Sequence, residues 1–356
     1  MDKTILAVGA DIKNRFLIAK SDRINFGPDI GDLARAKNYE FFKKEAGKAV
    51  KKFKPDVIAC DPHPDYFSSL FAQELNCQLS TVDCQLIQHH HAHIASVMQE
   101  HNLKKPVIGV CFDGTGYGQD ANSWGGEFLL VNRSGFKRLS HFKYRMMPGG
   151  DKVVQEPWRM VLSILGEKAA DFISGVPKQD KQLLLTMLSK RINSPLTSSS
   201  GRLFDAAAAL LGISVYARHE AEGPIRLEAI CEENCSQRYE FETYQQNGCL
   251  IVDTDDIFSG MLKDLKKAKD NSLIASKFHN SIVQIVVQVV QKLCRKFAVY
   301  DIALSGGVWQ NNFLKKKVTT RLAKLGFRVF TNVKAPVNDL NISLGQYYVS
   351  CNSGKS

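Results

Sequence analysis

Twice along the chain an apolar, strand-like run opens onto a turn and is followed by further strand-like segments. The first occurrence is residues 4–9, then 15–19; the second is residues 107–112, then 124–132 and 136–144. A short apolar run bounded by turn residues reads as a buried strand. Helical periodicity follows each opening, which restricts the chain to alternating α/β architectures. Two α/β lobes that each begin with a hairpin suggest an internal duplication, although the two copies share little sequence. At 356 residues the chain exceeds one minimal domain, taking ~100–200 residues per domain. We place the lobes at residues 1–104 and 105–356.

In the first lobe, residues 33–54 carry helical periodicity, Pro55 stops it, and residues 57–60 form a short buried strand. That strand ends in the loop Asp61-Pro62-His63-Pro64-Asp65, and a helix is expected over residues 66–75. Ligands of open α/β sheets gather at such strand ends. In the second lobe, residues 113–120 read as a glycine-rich turn and 157–215 as mainly helical, with breaks at 174–177 and 194–200. Residues 231–272 are a polar stretch, followed by a long helix over 273–297, a strand over 301–304 and the turn Ser305-Gly306-Gly307. A helix, a strand over 328–330 and a final helix from about Asp339 complete the pattern, with a tail over 350–356.

Hydrophobic residues at 44% and charged residues at 23% exclude collagen-like, low-complexity and broadly disordered chains. No window reaches the ~20 nearly uncharged apolar residues of a membrane helix. The most apolar helical run, 282–290, carries Gln284 and Gln288. The N-terminus lacks the basic region and cleavage site of a signal peptide. Nine cysteines, with Cys231 and Cys235 spaced CxxxC and no second pair, fit free thiols in a reducing cytoplasm. The net charge of +11 sits in runs: Lys43, Lys44, Lys48, Lys51, Lys52 and Lys54, then Lys263, Lys266, Lys267 and Lys269, then 315–317. Such runs are solvated helix faces or attract an anionic partner such as nucleotide, acidic protein or RNA. Aromatic residues do not interleave them as in a single-strand binder.

Four segments carry chemistry. Gln88-His89-His90-His91-Ala92-His93 is the densest. If it opens a helix, His89 and His93 fall one turn apart on one face and can share a metal, while His90 and His91 point elsewhere. Asp113-Gly114-Thr115-Gly116-Tyr117-Gly118 follows an apolar run; its glycines allow a backbone to approach phosphate, and its carboxylate can hold a divalent metal. Ser305-Gly306-Gly307-Val308 precedes a helix whose N-terminal amides suit a phosphate or nucleoside, with Asn311 and Asn312 in reach of a ribose or base. Pro336-Val337-Asn338-Asp339 precedes the last helix, where Asp339 could bind metal, although capping is the simpler reading. Arg159, after Glu156, and Arg202, before Asp205, could clamp an anion or form local ion pairs.

In this order, the segments resemble the carbamoyltransferase half of the HypF hydrogenase-maturation family. They are similar, more distantly, to carbamoyltransferases of antibiotics and nodulation factors and to the TsaD family that modifies tRNA. The resemblance runs from residues 5–10 to 342–346 and includes DPHPDY at 61–66, WGGEF at 124–128, PGGD at 148–151 and EPWRM at 156–160. It implies a two-lobed α/β fold of the actin/Hsp70/sugar-kinase type, a duplicated ribonuclease-H-like architecture with helical insertions. It also implies a divalent metal (Fe, or Mg, Mn or Zn) on His89, His93, Asp113 and Asp339. ATP or carbamoyl-adenylate would lie against Gly114, Thr115, Gly116, Gly306, Gly307 and Asn311. His63, Asp65 and Arg159 are candidate catalytic residues.

The implied reaction is metal-dependent carbamoyl transfer to the C-terminal cysteine thiol of a HypE-like protein. The family's acylphosphatase, zinc-finger and YrdC-like regions have no counterpart in the sequence, so a separate YrdC-like protein is expected to supply the adenylate. No membrane and no nucleic-acid partner are expected. Leu340 and Asn341 stand where the family has glycines, and Glu220-Ala221-Glu222 where it has Glu-Gly-Gln. Such side chains are expected to crowd the metal or the phosphate. Transfer to a small molecule or tRNA, and a non-catalytic nucleotide-binding scaffold, stand as alternatives.

Overall fold

The computed structural model describes residues 3–21, 23–79, 82–133 and 135–352. The first sheet contains β1 (Thr4–Ala7), β2 (Leu17–Lys20), β3 (Arg23–Phe26), β4 (Val57–Cys60) and β5 (Asp83–Leu86). Their spatial order is β3-β2-β1-β4-β5. The first three strands are antiparallel, and β4 and β5 add in parallel beyond β1. Helices α1 (Ala36–Phe53), α2 (Phe67–Gln78) and α3 (His89–Glu100) complete this part.

The second sheet contains β6 (Val107–Tyr117), β7 (Ser123–Val131), β8 (Phe136–Phe142), β9 (Arg145–Met146), β10 (Leu196–Thr197), β11 (Glu242–Gln246), β12 (Cys249–Asp253), β13 (Asp301–Ser305) and β14 (Arg328–Thr331). Its main path is β11-β12-β8-β7-β6-β13-β14. Five consecutive strands, β8-β7-β6-β13-β14, repeat the order of the first sheet. They also repeat its directions, antiparallel on one side of β6 and parallel on the other. The duplicated α/β fold expected from the two openings is therefore present in the topology. Its helices are α4 (Lys152–Gln155), α5 (Trp158–Leu165), α6 (Lys178–Lys190), α7 (Ser200–Leu210), α8 (Glu222–Ala229), α9 (Asp255–Lys266), α10 (Asn271–Phe297), α11 (Asn312–Lys324) and α12 (Ile342–Asn352). Part of the tail expected over 350–356 is thus helical, and residues 353–356 lie outside the described residues.

Three local expectations change. Residues 113–117 extend β6 rather than turn; its pairing with β7 shifts register between Phe112 and Gly116. The reversal comes later, closed by the Gly118 N–H to Asn122 carbonyl bond of 2.9 Å. Ladder bonds on β7 outweigh the entropic penalty of glycine in a strand. The polar stretch 231–272 contains the β11–β12 hairpin and α9. Asn247 and Gly248, at φ 49° and 80°, make its two-residue turn, a pairing that favours hairpins. The first lobe opens with three antiparallel strands, because the mixed, largely exposed β3 adds to its edge.

α10 is long and apolar enough to cross a membrane, but 83% of its most apolar window is buried in the protein. α3 packs on β6, β7 and β13 of the second sheet and against α12, which packs in turn on β1, β2 and β4 of the first. Its Ala92, Ile94 and Val97 share one apolar cluster with Ile5 and Ala7 of β1, Val107 and Cys111 of β6, and Ile342 of α12. Glycines permit this approach: a Cβ on Gly109 would meet the Ile94 side chain at 2.6 Å, and one on Gly345 would meet the Ala92 carbonyl oxygen at 1.8 Å. The last helix thus clamps the histidine-bearing helix where the two sheets meet.

Candidate metal centre and adjoining cleft

α3 begins at His89 because the Gln88 side chain accepts the His91 N–H at 2.9 Å, satisfying one of the free amides of the first turn. His89 and His93 then project one turn apart, both buried. Asp113 sits where β6 slips its pairing with β7. Asp339 opens a short 3-10 turn whose cap is Asn338, which accepts the Leu340 N–H at 3.1 Å. The carboxylate of Asp339 is thereby free of the capping role that its position before the last helix suggested.

The four side chains converge, each offering a ligand atom within 4.8 Å of the others. His93 Nε2 lies 3.2 Å from Asp113 Oδ2 and 3.7 Å from Asp339 Oδ1. His89 Nε2 lies 3.4 Å and 3.9 Å from the same two oxygens. The outer ring nitrogens have their own partners. His89 Nδ1–H donates to Asp61 Oδ2 at 3.0 Å, and His93 Nδ1–H to Asn341 Oδ1 at 2.9 Å. A neutral ring that donates from Nδ1 keeps a lone pair on Nε2. Both lone pairs therefore face carboxylates, and His89 Nε2 is buried with no hydrogen-bond partner among the described residues.

Only a cation or added protons can reconcile that arrangement. Without a metal, burial opposes charge on His89, but Asp113 and Asp61 more than offset it and hold the ring well above its ordinary value. His93 is raised in the same way by Asp113 and Asp339. Burial opposes the charge on Asp113 too, yet the two histidines hold it well below the carboxylate range. A two-imidazole, two-carboxylate set fits a divalent cation and leaves coordination positions open. Asp61 and Asn341 form the outer layer that fixes ring orientation.

The neighbouring glycines serve different ends. Gly306 adopts φ +101°, and a Cβ there would meet the Phe112 carbonyl oxygen at 2.4 Å. This bend aims the Gly307 N–H at Asp113 Oδ1, 2.9 Å away, so that amide is already engaged. Gly116 makes room for the histidine helix, since a Cβ would lie 2.5 Å from His90 Cε1. His90 accepts from Gln88 and lies against Trp124; burial, then the charge of His89, lowers it to about 3. Burial lowers His91 to about 4. Both are neutral core histidines pointing away from the cluster, as their helical positions require.

A cavity of about 260 Å³ adjoins the cluster, bounded by Lys13, Asp113, Gly114, Arg202, Gly307 and Asn311. Lys13, from the turn after β1, pairs with Glu220 across its mouth at 2.8 Å. Asn311 caps α11 by accepting the Leu314 N–H at 2.8 Å and donates to His279 Nε2 at 2.9 Å. Arg202 forms the local pair with Asp205 at 2.7 Å while still lining the cavity. Thr115 is exposed, its hydroxyl 3.1 Å from that of Ser123.

Other candidates lie outside the cluster. His63 stacks on Tyr66 with centroids 4.1 Å apart and accepts the N–H of the exposed Asp65 on Nδ1 at 3.2 Å. Arg159 is engaged by Glu156 at 2.5 Å and by the Pro148 carbonyl at 3.3 Å. Leu340 offers its carbonyl to Arg15, and the Asn341 side chain joins the outer layer by accepting from His93. Asp61, Asn341 and Lys13 are participants that sequence reasoning missed. Asp61 was visible only as part of a strand-end loop.

Residues 1–100 match the family model described as the HypF Kae1-like domain, and residues 109–346 match that of the carbamoyltransferase Kae1-like domain, second subdomain. A carbamoyltransferase HypF homolog of Cupriavidus necator is 33% identical over 97% of this chain and 91% of its own length. Carbamoyltransferase HypF2 of the same organism is 32% identical over 98% of this chain but 46% of its own. A crystal structure of full-length HypF with phosphate and nucleotide bound superposes with a TM-score of 0.93 at 33% identity, covering 98% of this chain and 56% of that one. HypF of T. kodakarensis gives 0.90 at 29% identity, covering 99% and 48%. The chain thus spans about half the length of these larger relatives.

Proposed function

The chain belongs to the HypF carbamoyltransferase family, and from that membership we propose that it transfers a carbamoyl group from carbamoyl-adenylate to the C-terminal cysteine thiol of a HypE-like protein. The thiol sulfur bonds to the carbamoyl carbon, the bond from that carbon to the adenylate phosphate oxygen breaks, and AMP leaves. The thiol proton departs to a base. The product is a thiocarboxamide on the acceptor, a precursor in NiFe hydrogenase maturation. A YrdC-like protein supplies the adenylate.

The observation that carries this reading is the buried His89 Nε2, partnerless and facing two carboxylates beside the cavity. His89, His93, Asp113 and Asp339 would hold a divalent metal (Fe, or Mg, Mn or Zn). Bound there, the metal would supply Lewis-acid neutralisation of the adenylate phosphate. Asp61 and Asn341 hold the two imidazoles in the ligating tautomer. Gly114 and Asn311 line the space assigned to the nucleotide, and Lys13 brings a positive charge to its mouth. His63, accepting on Nδ1, carries its proton on Nε2 and is assigned to hydrogen bonding of the incoming group. The exposed carboxylate of Asp65 is left to take the thiol proton. Arg159, held by Glu156, has no part in this scheme.

The test is mass spectrometry of a HypE-like acceptor after incubation with carbamoyl-adenylate, metal and this protein. Carbamoyl mass on the C-terminal cysteine, absent when that cysteine is serine, supports the reading. An unmodified acceptor with a metal-loaded, nucleotide-bound protein would overturn it.

A further inference from the structure

The lysine run at 315–317 is not absorbed by the metal centre. On α11 its Lys316 and Lys317 line a second cavity, of about 410 Å³, formed with α10 and the segment before β11. We propose that this cavity binds the phosphate group of a phosphate monoester.

Four cations line it, Arg238, Lys316, Lys317 and Arg321, against the one carboxylate of Glu233. Glu233 is already paired with Lys316, at 3.1 Å and 3.2 Å. Among the described residues the other three cations form no ion pair. Lys317 is half-buried, lies 4.1 Å over the centre of the Phe313 ring and, among the described residues, hydrogen-bonds only neutral acceptors, Asn280 Oδ1 at 2.9 Å and the Cys235 carbonyl at 3.4 Å. Arg321 donates to Gln284 Oε1 at 2.5 Å. Arg238 makes no hydrogen bond or ion pair among the described residues. Burial, then the charge of Arg238, holds Arg321 below its ordinary value, as expected of two guanidinium groups that share one space.

A plain solvated helix face would be carried by α11 alone. Here Arg238 arrives from a different segment, and Lys317 is turned inward. Two guanidinium forks and an ammonium can surround the oxygens of a tetrahedral anion from three sides. Phe313 and Val283 supply an apolar wall for the organic part, and the volume suits a small ligand. The cavity is separate from the metal-centre cleft. A shallower groove joins them, sharing Ile225 and Glu228 with the cleft and Glu233, Phe313 and Lys316 with the basic cavity. The phosphate monoester could be a free sugar phosphate or the 5′-phosphate end of an RNA.

Cys235, half-buried in the cavity wall, is a built-in reporter, and the exposed Cys77 on α2 is its control. Iodoacetamide alkylation of both would be followed by peptide mass spectrometry in the intact chain. The titrants are ribose 5-phosphate and matched oligoribonucleotides bearing a 5′-phosphate or a 5′-hydroxyl, against potassium chloride at equal ionic strength. Ribose 5-phosphate is expected to slow Cys235 alkylation severalfold while Cys77 is unchanged. The double variant Arg238→Ala/Arg321→Ala, and separately Arg238→Glu, should abolish that protection; all three changes fall on exposed side chains. Stronger protection by the 5′-phosphorylated oligonucleotide than by ribose 5-phosphate assigns the RNA source, and the reverse assigns the free ester. Protection equalled by potassium chloride, or retained in both variants, would overturn the proposal.

Discussion

The Nδ1–H of His93 donates to the side-chain oxygen of Asn341 at 2.9 Å, across 248 residues of sequence. Asn341 is fully buried, and its amide donates to Ser305, Asn332 and the Pro336 carbonyl at 3.2, 3.0 and 3.0 Å. It stands where the family resemblance implies glycine, and its side chain fixes the ring of His93, one of the four clustered residues. Asn341→Gly should therefore weaken divalent-metal affinity about 10–100-fold, the usual effect of losing an outer-layer partner. Metal titration of the variant checks this; unchanged affinity would mean that His93 is oriented by packing alone.

Asp61 does the same for His89, at 3.0 Å. Asp61→Ala should weaken metal binding over the same range of about 10–100-fold. Asp61→Asn keeps an acceptor oxygen and should lose less. Equal losses in the two variants would show that charge, not orientation, is what Asp61 contributes.

Gly345→Ala tests the clamp on the histidine helix. The added methyl would sit 1.8 Å from the Ala92 carbonyl oxygen, so α12 must move off α3. Overpacking of this kind typically costs about 1–3 kcal/mol. Urea denaturation should show that loss, with weakened metal binding alongside it.

Ala221 occupies φ +60°, left-handed backbone that glycine adopts more easily. Ala221→Gly should raise stability by up to about 1 kcal/mol, relief of the left-handed strain being partly offset by a freer unfolded chain. The Lys13–Glu220 pair beside it should be preserved. A lower melting temperature in the variant would contradict this.

Glu100, the last residue of α3, accepts the backbone N–H groups of Val333, Lys334 and Ala335, anchoring the segment that leads to Asp339. Partial burial works against its charge, but these amides and Asn332 hold its carboxyl below the ordinary 4.5. A depressed folded value adds stability that is complete above the unfolded value and disappears as pH falls through the folded one. Glu100→Gln should cost about 1 kcal/mol near neutral pH, the low end for a partly solvated site. The gap from wild type should close as pH drops below 4.5 and through the depressed folded value. A gap that persists in acid would rule out the charge as its source.

Much of the site was legible because its signals are local. His89 and His93 share a face through helical spacing alone, and Asp113 directly continues the apolar run that opens β6. The same reasoning separated His90 and His91 from the cluster. What stayed hidden depends on contacts distant in sequence. Nothing within a few residues of Asn341 or Asp61 reveals which imidazole each will meet. The first-sheet strands are only four residues long, so the duplication specifies apolarity rather than identity and appears clearly only in strand order. The β11–β12 hairpin was obscured by exposed polar residues in β11, although Asn247-Gly248 marked its turn.

His89, His93, Asp113 and Asp339 are proposed to hold a divalent metal beside a nucleotide cleft. The direct measurement is metal content and AMP affinity of the anaerobically purified chain, wild type beside His89→Ala and His93→Ala. Stoichiometric metal is expected in wild type, lost in both variants together with much of the AMP affinity. Metal retained in both variants, or wild type that binds neither metal nor AMP, would contradict it.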